Sequence, residues 1–520
     1  MFYFTKYEDR KPLPPIKHNE ARQTAYRILA IINIIFSTWY ITWRWTSSLN
    51  YEALTFSLIL VIAETASCIS MLLWTYNLWS DKDIESIAPP VWFSELIDQN
   101  QFKKIDIDLH YKRLINIDIL ITTYNEDVEL VRLSIIDARK MEYPFDININ
   151  IYVLDDGNRL EMKKIAEEEG VSYIAREHNI GFKAGNLANA IHHTYGDFIV
   201  ICDADTRLFP GFLAKTLGFF CNPLVAWVQT PQWFYDIHPG VPPSRIGEKI
   251  FGRIGKNVGL FLEKTLKIDK VMEDPFYNNS QTFYDLILRR RNAKNASFCC
   301  GAASIHRREA LYEVAVEYYI SSLKSNKISE DIECNYNVKE IFSPFKFHIS
   351  EDIYTSLLIH GAKKKKWQSI LYPEVLSKML STQDFKSRCK QLYRYATGTL
   401  DMAFKELPFS KLNMTFGQKI LYFSTIYSYI GAVWHLIFLV SPIIYLFTEI
   451  APVGTSYQEF LKHLVPYLLI NEITQMVDCA KLNKFNDRVL YLGFIWINLN
   501  GLVYFRSCLN KNSMVYMAVD

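Results

Sequence analysis

The sequence predicts an α/β domain embedded between transmembrane helices, in a multi-pass membrane protein. Three observations predict it. Apolar runs of membrane length lie towards both ends. The middle alternates strand-like apolar stretches with helix-like ones. Three polar, acid-rich clusters each follow directly on an apolar stretch. Half of the 520 residues are hydrophobic and 22% are charged, and the mean hydropathy is near zero. A net charge of +2 gives no general basis for nucleic-acid binding, and none is expected.

The first two apolar runs are Ala25–Trp43 and Leu54–Trp79, the second interrupted by Glu64. Each is long enough for about 30 Å of hydrocarbon. Trp39, Tyr40, Trp43, Trp45, Trp74 and Trp79 read as interfacial belts. A third run is Leu421–Phe447. A fourth, Phe460–Val477, is interrupted by Lys462, His463 and Glu472. A fifth, Val489–Phe505, is short, with Arg488 at one end and Arg506 and Lys511 at the other, and reads as an interfacial helix. The tail carries Lys6, Arg10, Lys11, Lys17 and Arg22, whereas the loop after the first span has Arg44 at its edge. The positive-inside rule therefore puts the tail and the middle in the cytoplasm, with the spans in the plasma membrane. The expected layout is a cytoplasmic tail (1–24), two spans (25–79), a cytoplasmic α/β domain (80–384) and interfacial amphipathic helices (385–428). Two more spans (429–478) and an interfacial helix with a cytoplasmic C-terminus (479–520) complete it.

The first run starts too late, and lacks the small-residue cleavage site, for a secretory signal peptide. Nine cysteines without a regular framework fit a reducing compartment. Adjacent Cys299 and Cys300 are not a zinc spacing. The N-x-S/T sequons at Asn278, Asn295 and Asn413 fall on the expected cytoplasmic side and read as chance.

In the middle, "INIDILITTYNE" is an apolar strand ending in a polar turn, and "DVELVRLSIIDARK" has helical spacing. "ININIYVLDDGN" is a second strand, "EMKKIAEEEG" a helix, "VSYIARE" a third strand and "GNLANAIHHTYG" a helix closed by Gly196. "DFIVICDADT" is a fourth strand. This alternation implies a mostly parallel sheet, whose ligands bind at the carboxyl ends of strands. The clusters Thr122–Glu126, Asp155–Asn158 and Asp203–Thr206 all lie at such ends.

Each motif alone has two readings. Asp203 and Asp205 offer hard oxygen ligands for Mg²⁺ or Mn²⁺, or form an acidic loop. Asp155–Asn158 can bond a base or ribose, or make an Asp-Gly turn. "GFKAGN", Gly181–Asn186, can turn amides and Lys183 towards phosphate, though it is not a Walker loop. "FCCGA", Phe298–Ala302, can be a packed turn. In "QLYRYATG", Gln391–Gly398, a guanidinium between tyrosines can hold a diphosphate, or can snorkel from an interfacial helix. "ISEDI" occurs at Ile328–Ile332 and again at Ile349–Ile353.

The order is more specific than any one motif. "TYNE", "DDG", "KAGN", "DAD", "QTP" (Gln229–Pro231), "FCCGA", "SED" and Q-x-x-R-aromatic follow one another between apolar spans. In this the chain resembles the processive family 2 inverting glycosyltransferases of the bacterial cellulose synthase type. The resemblance runs from about Ile28 to the C-terminus and is strong from Thr122 to Gly398. It implies an α/β GT-A catalytic domain that uses a UDP-sugar and a divalent metal. By that resemblance Thr123, Tyr124, Glu126, Asp155, Asp156, Lys183, Asp203, Gln391 and Arg394 bind the donor. Asp203 and Asp205 hold Mg²⁺ or Mn²⁺, and Phe298, Cys299, Cys300, Gly301 and Tyr395 meet the acceptor. The family's base acid precedes a Thr, a His-Gly-type turn and a Trp. "SEDIYTSLLIHGAKKKKW" has these and "SEDIECNYNVKE" does not. Asp352 is therefore the expected general base, with Asp331 the alternative, inside an insertion across residues 311–348.

Two departures matter. Tyr395 stands where the family usually has Trp, which leaves acceptor geometry and linkage open. The chain stops at "NKNSMVYMAVD", before the family's gating loop, further spans and cyclic di-GMP domain, so such regulation is not expected from it. Four spans are few for a closed channel, so a homodimer or a partner is expected to complete an export path. UDP-glucose is the favoured donor and a growing β-glucan, capsular or extracellular, the favoured acceptor. Single-protein capsule glucan synthases have this size. The alternatives are a hyaluronan- or chitin-type synthase using UDP-N-acetylglucosamine, a transferase of one sugar to a membrane lipid, and a non-enzymatic scaffold. The last is disfavoured because every acid needed is present in order.

Overall fold

The computed structural model describes residues 4, 7–97, 112–238, 240–265, 282–324, 343–405, 407–411 and 413–479. Asp331 with the first "ISEDI", much of the expected insertion and the fifth apolar run lie outside the described residues.

The sheet is built from β1 (Asn116–Thr123), β2 (Asn148–Asp155), β3 (Ser172–Ala175), β4 (Phe198–Asp203), β6 (Val225–Gln229), β7 (Ser304–Arg307) and β8 (Gln368–Leu371). Their order is β3-β2-β1-β4-β7-β6-β8. The pairs β1–β2, β1–β4, β2–β3 and β6–β8 are parallel, and β7 is antiparallel to both of its neighbours. The short pair β5 (Arg207–Leu208) and β9 (Ser377–Lys378) stands apart. Register brings the expected clusters together. Thr123 is opposite Asp155, and Thr122 is opposite Asp203. Parallel neighbours end at the same edge, so three separate sequence motifs meet there.

Helices cover both faces, which is why the strands read as nearly continuous apolar runs. Ile117, Ile119 and Ile121 face one core with Val131 and Ile135 of α3 (Val128–Arg139) and Met162 of α4 (Leu160–Glu168). Leu120, Leu154 and Ile201 face the other, with Leu187 of α5 (Phe182–His193) and Leu357 of α9 (Glu351–His360). That second core also takes Met402 from α10 (Phe385–Lys405) and Tyr422 from α11 (Phe416–Ile430). The α/β domain and the first helix of the C-terminal apolar run thus share one core.

Among the described residues three stretches are long and apolar enough to cross a membrane: α1 (Glu20–Ser47), α2 (Leu54–Leu78) and the run Phe416–Thr448, formed by α11 and α12 (Ala432–Thr448). A further helix, α13 (Tyr457–Cys479), lies along α1. Its His463 is stacked on Trp39 at 4.3 Å and on Trp43 at 4.1 Å, and Tyr467 stacks on Tyr40 at 5.3 Å. Tyr40 is buried in this helix-on-helix packing, while Trp39 and Trp45 keep exposed surface. Glu64, the interruption in the second run, is paired with Arg44 at 2.6 Å and accepts from the Tyr40 hydroxyl at 3.0 Å. A carboxylate in an apolar helix is tolerated when a partner of this kind faces it.

The N-terminal tail docks on the α/β domain. The Tyr235 hydroxyl donates to the carbonyl of Phe4, Glu8 pairs with Arg207, and Arg10 lies 5.6 Å from the Trp233 ring. On the far side of the sheet, Asp118 is fully buried in β1. It accepts from Arg308 at 2.7 Å, from the Gly196 amide at 2.5 Å and from Asn150 at 3.3 Å. Asp118→Ala is expected to cost about 3–5 kcal/mol, because it strands a buried guanidinium. Thermal unfolding of purified protein would show it as a large drop in midpoint, whereas an unchanged midpoint would contradict the account.

Candidate active site

The expected site residues fall into two neighbouring groups at the sheet edge. In the first, Lys183 comes from the first turn of α5 and Asp203 from the end of β4. Lys183 pairs with Asp203 and lies 3.9 Å from Glu351. Glu351 and Asp352 open α9, behind its N-cap Ser350. The Asp352 carboxylate accepts from the Ile353 amide at 2.7 Å. Burial works against charge on Lys183, yet Asp203, then Glu351, and also Asp352 hold its pKa above the ordinary value. Burial, then Asp352, pushes Glu351 up to about 7 despite Lys183. Burial likewise raises Asp352 above the ordinary carboxylate range.

The "FCCGA" turn closes this group from below. Gly301 has φ +86°, and a Cβ there would lie 3.4 Å from the Lys183 ammonium and 3.5 Å from Asp352 Oδ2. Glycine is the residue that takes this φ without strain and lets the backbone approach both charges. The turn is held by Gln229, which stands in the sequence only as the first residue of "QTP". Gln229 Oε1 accepts from the Cys300 amide at 2.8 Å, and its Nε2 donates to the Ala302 carbonyl at 2.9 Å. The Cys299 amide donates to Ser356 of α9 at 2.9 Å. Burial and then Asp352 push the Cys299 thiol up to about 12, so it is a neutral packing group and not a thiolate nucleophile. Phe298 is buried against Tyr422, 6.3 Å between rings, and under Arg291.

Tyr395 reaches this group from α10. Its ring remains 45% exposed, while burial of its hydroxyl near Asp352 and Asp203 raises its pKa to about 12, against the pull of Arg394. Arg394 itself is exposed, and Gln391 accepts from Arg388 of the same helix at 2.7 Å. Neither is hydrogen-bonded to Lys183, Asp203, Glu351 or Asp352 among the described residues. Gly398 explains how α10 comes so near. A Cβ on it would sit 2.0 Å from Ser350 Oγ and 2.8 Å from Ile349 Cγ2, at the cap of α9.

The second group is organised by arginines. Asp155 is fully buried and accepts from the Gly157 amide, the Arg159 amide and side chain, and the Tyr173 hydroxyl. Arg159 also donates to Thr123 at 2.9 Å, and Thr123 donates to Glu126 at 2.9 Å. Asp156 holds Arg176 through two bonds, 2.6 and 2.7 Å. Tyr124, Asp156 and Arg159 line an open pocket of about 750 Å³ with Glu177 and His178. Arg159 and Arg176 were not singled out, although Arg159 directly follows "DDGN".

Asp205 stands between the groups and the β5–β9 pair. It accepts from the Leu380 amide at 3.0 Å, and burial and then Asp203 raise it to about 7. Two carboxylates at one strand end, the second short of a counter-charge, fit a hard divalent cation that takes its other ligands from phosphate oxygens. Among the described residues no group of three or more His, Cys, Asp or Glu is placed to hold a metal without such help.

The architecture is a GT-A-like fold. It is similar to a mannosyltransferase from Pyrobaculum calidifontis, solved with GDP-Man and Mn²⁺, at a TM-score of 0.50 and 13% identity. The likeness covers 88% of this chain and 98% of that one. Two family descriptions match: "Glycosyl transferase family 2" over residues 118–315, and "Glycosyl transferase family group 2" over residues 271–474. The chain is 25% identical over 454 residues to the cellulose synthase catalytic subunit [UDP-forming] of Pseudomonas fluorescens (strain SBW25) and 26% identical over 460 residues to the cellulose synthase 1 catalytic subunit [UDP-forming] of Komagataeibacter xylinus. These alignments cover 86% and 88% of this chain but 51% of each relative, so the chain spans about half the length of the curated relatives it matches. Both family matches and both relatives make the chain similar to the family 2 glycosyltransferases of the bacterial cellulose synthase kind.

Two outcomes follow from the site's geometry. Glu351 and Asp205 have folded-state pKa values near 7, above their ordinary 4.5 and 3.8. Their contribution to stability is fully present below those ordinary values and is lost as pH rises towards about 7. Without divalent metal, the melting midpoint should therefore fall between pH 4.5 and about 7, and Glu351→Gln should flatten part of that slope. An identical slope in the variant would contradict the assignment. Gly398→Ala should overpack the α9 cap at a cost of about 1–3 kcal/mol, read as a lowered melting midpoint.

Proposed function

We propose that the chain transfers glucose from UDP-glucose to a growing β-glucan, processively and with inversion, from the cytoplasmic face of the cell membrane. The observation that carries this reading is the meeting of Lys183, Asp203 and Asp352 around Gly301, at the edge where the parallel strands end. Similarity to relatives named as UDP-forming cellulose synthases supports the donor class. Glucose, and a capsular or extracellular product, are the finer part of the proposal.

The uridine end of the donor lies on Tyr124 in the open pocket beside Asp156. Thr123, Glu126 and Asp155 act there by fixing Arg159. Asp203 and Asp205 are the residues that would hold Mg²⁺ or Mn²⁺, which would neutralise charge on the diphosphate. Lys183 supplies a fixed positive charge beside Asp203 for the departing diphosphate. Gln391 and Arg394 of α10 join it when donor is bound. Asp352 takes the proton from an acceptor hydroxyl as that oxygen attacks the anomeric carbon. The bond from that carbon to the UDP oxygen breaks, and UDP leaves with the electron pair. Direct displacement with one carboxylate turns an α-linked donor into a β-linked product. The raised pKa of Asp352 makes it a stronger base for that proton than an ordinary aspartate. Phe298, Cys299, Cys300 and Gly301 form the floor under the acceptor's terminal sugar, and the exposed Tyr395 ring its wall.

The test is UDP release by purified protein with Mn²⁺ or Mg²⁺, comparing UDP-glucose, UDP-N-acetylglucosamine and UDP-glucuronate, with NMR of the product. Turnover with UDP-glucose and a β-linked product is expected. Turnover confined to another donor would overturn the glucan assignment, and an α-linked product would overturn the single-displacement mechanism.

A further inference from the structure

We propose that the lysine turn after α9 and the segment leading into α11 form a docking surface for the anionic headgroups of a bilayer leaflet, and that this contact steadies α9 and with it Asp352. The catalytic consequence rests on the function proposed above, whereas the lipid contact does not.

The turn carries Lys363, Lys364, Lys365 and Lys366 in sequence, and all but Lys365 are exposed. Glu317 accepts from the backbone amides of Lys363 and Lys364, at 2.9 and 3.0 Å. That acid therefore shapes the turn through its backbone. Lys365 differs from its neighbours, being paired with Glu309 and lying 4.8 Å from the Trp367 ring. Three ammonium groups are thus presented together at the surface of one turn.

The turn sits where the C-terminal apolar run begins. Asn413 donates to the Ala362 carbonyl at 3.1 Å. A Cβ on Gly417, in the first turn of α11, would lie 3.1 Å from the Tyr76 hydroxyl and 3.2 Å from the Lys294 stem. Tyr76 is in the last turn of α2. The end of one candidate span, the start of another, the lysine turn and exposed Lys294 therefore share one level. At that level Leu407, Phe409 and Phe416 are 55%, 46% and 71% exposed. Lysines beside exposed apolar side chains at a span entry match an anionic leaflet, which takes the rings into its interface and the ammonium groups among its headgroups. A soluble acidic partner would match the charge and leave the apolar side chains in water.

The link to chemistry is α9 itself. It is ten residues long, roughly 15 Å, with Asp352 in its first turn and the lysine turn just past its end. Ile353–His360 are all buried, and His360 is 2.8 Å from the Tyr422 hydroxyl of α11. A helix packed this tightly moves as a rod, so fixing one end limits the other.

The experiment uses the full chain in nanodiscs of phosphatidylcholine alone and of phosphatidylcholine with phosphatidylglycerol. Hydrogen exchange of residues 361–366 is the first readout, and UDP release the second. Native protein should exchange several-fold more slowly there in the anionic discs and release UDP faster. Lys363→Gln/Lys364→Gln/Lys366→Gln should lose both responses and match native protein in neutral discs. Equal exchange of native protein in the two discs, or an undiminished response in the triple variant, would overturn the docking. A lipid response in exchange with none in turnover would overturn the coupling to Asp352. Exchange needs no donor, so a failure of the transferase reading would leave the docking result legible.

Discussion

The site depends on one ammonium group. Lys183 sits among Asp203, Glu351 and Asp352, carboxylates drawn from a strand end and a helix start. Brought together without a cation, these acids would repel one another or remain protonated. With it they can converge, and Gly301 lets the Phe298–Ala302 turn approach the same point. Burial, and for Glu351 the neighbouring Asp352 carboxylate, keeps Glu351 and Asp352 above the ordinary carboxylate range even though Lys183 pulls the other way. A raised carboxyl pKa is useful to a general base and costly to a purely structural ion pair.

The same region is fastened to the apolar helices. Arg291 is buried, donating to Asn77 of α2 at 3.0 Å and to Thr425 of α11 at 2.7 Å, with the Phe298 ring beneath it. Tyr422 of α11 packs on Phe298 and meets His360 of α9. The Phe298–Ala302 turn and the helix bearing Asp352 are therefore in contact with α11, which begins the C-terminal apolar run.

Much of this was legible from residue order. The strand-end acids were readable because an apolar run ending in Asp has few other meanings in an alternating α/β pattern, and parallel register then brings the ends together. The two copies of "ISEDI" are identical, so their own residues could not separate them, and only the Thr, His-Gly and Trp downstream favoured the second. Side-chain partners across long separations were not legible. Gln229 was visible only as part of "QTP", although it clasps a turn 71 residues away. No motif names Arg159 or Arg176, and only the fold brings them onto Asp155 and Asp156. Glu351 was passed over because its neighbour took the family's catalytic role. The tryptophan- and tyrosine-rich end of α1 had the composition of an interfacial belt, but its partner rings belong to α13, more than four hundred residues later.

The central claim is that Asp352, and not Asp331 in the identical pentapeptide, takes the acceptor's proton. UDP release from Asp352→Asn and Asp331→Asn, purified and assayed side by side with the same donor, tests it most directly. The account predicts a loss of about 10²–10⁴-fold in kcat for Asp352→Asn and near-native turnover for Asp331→Asn. Native turnover in Asp352→Asn together with a dead Asp331→Asn would contradict it and move the site to the other copy.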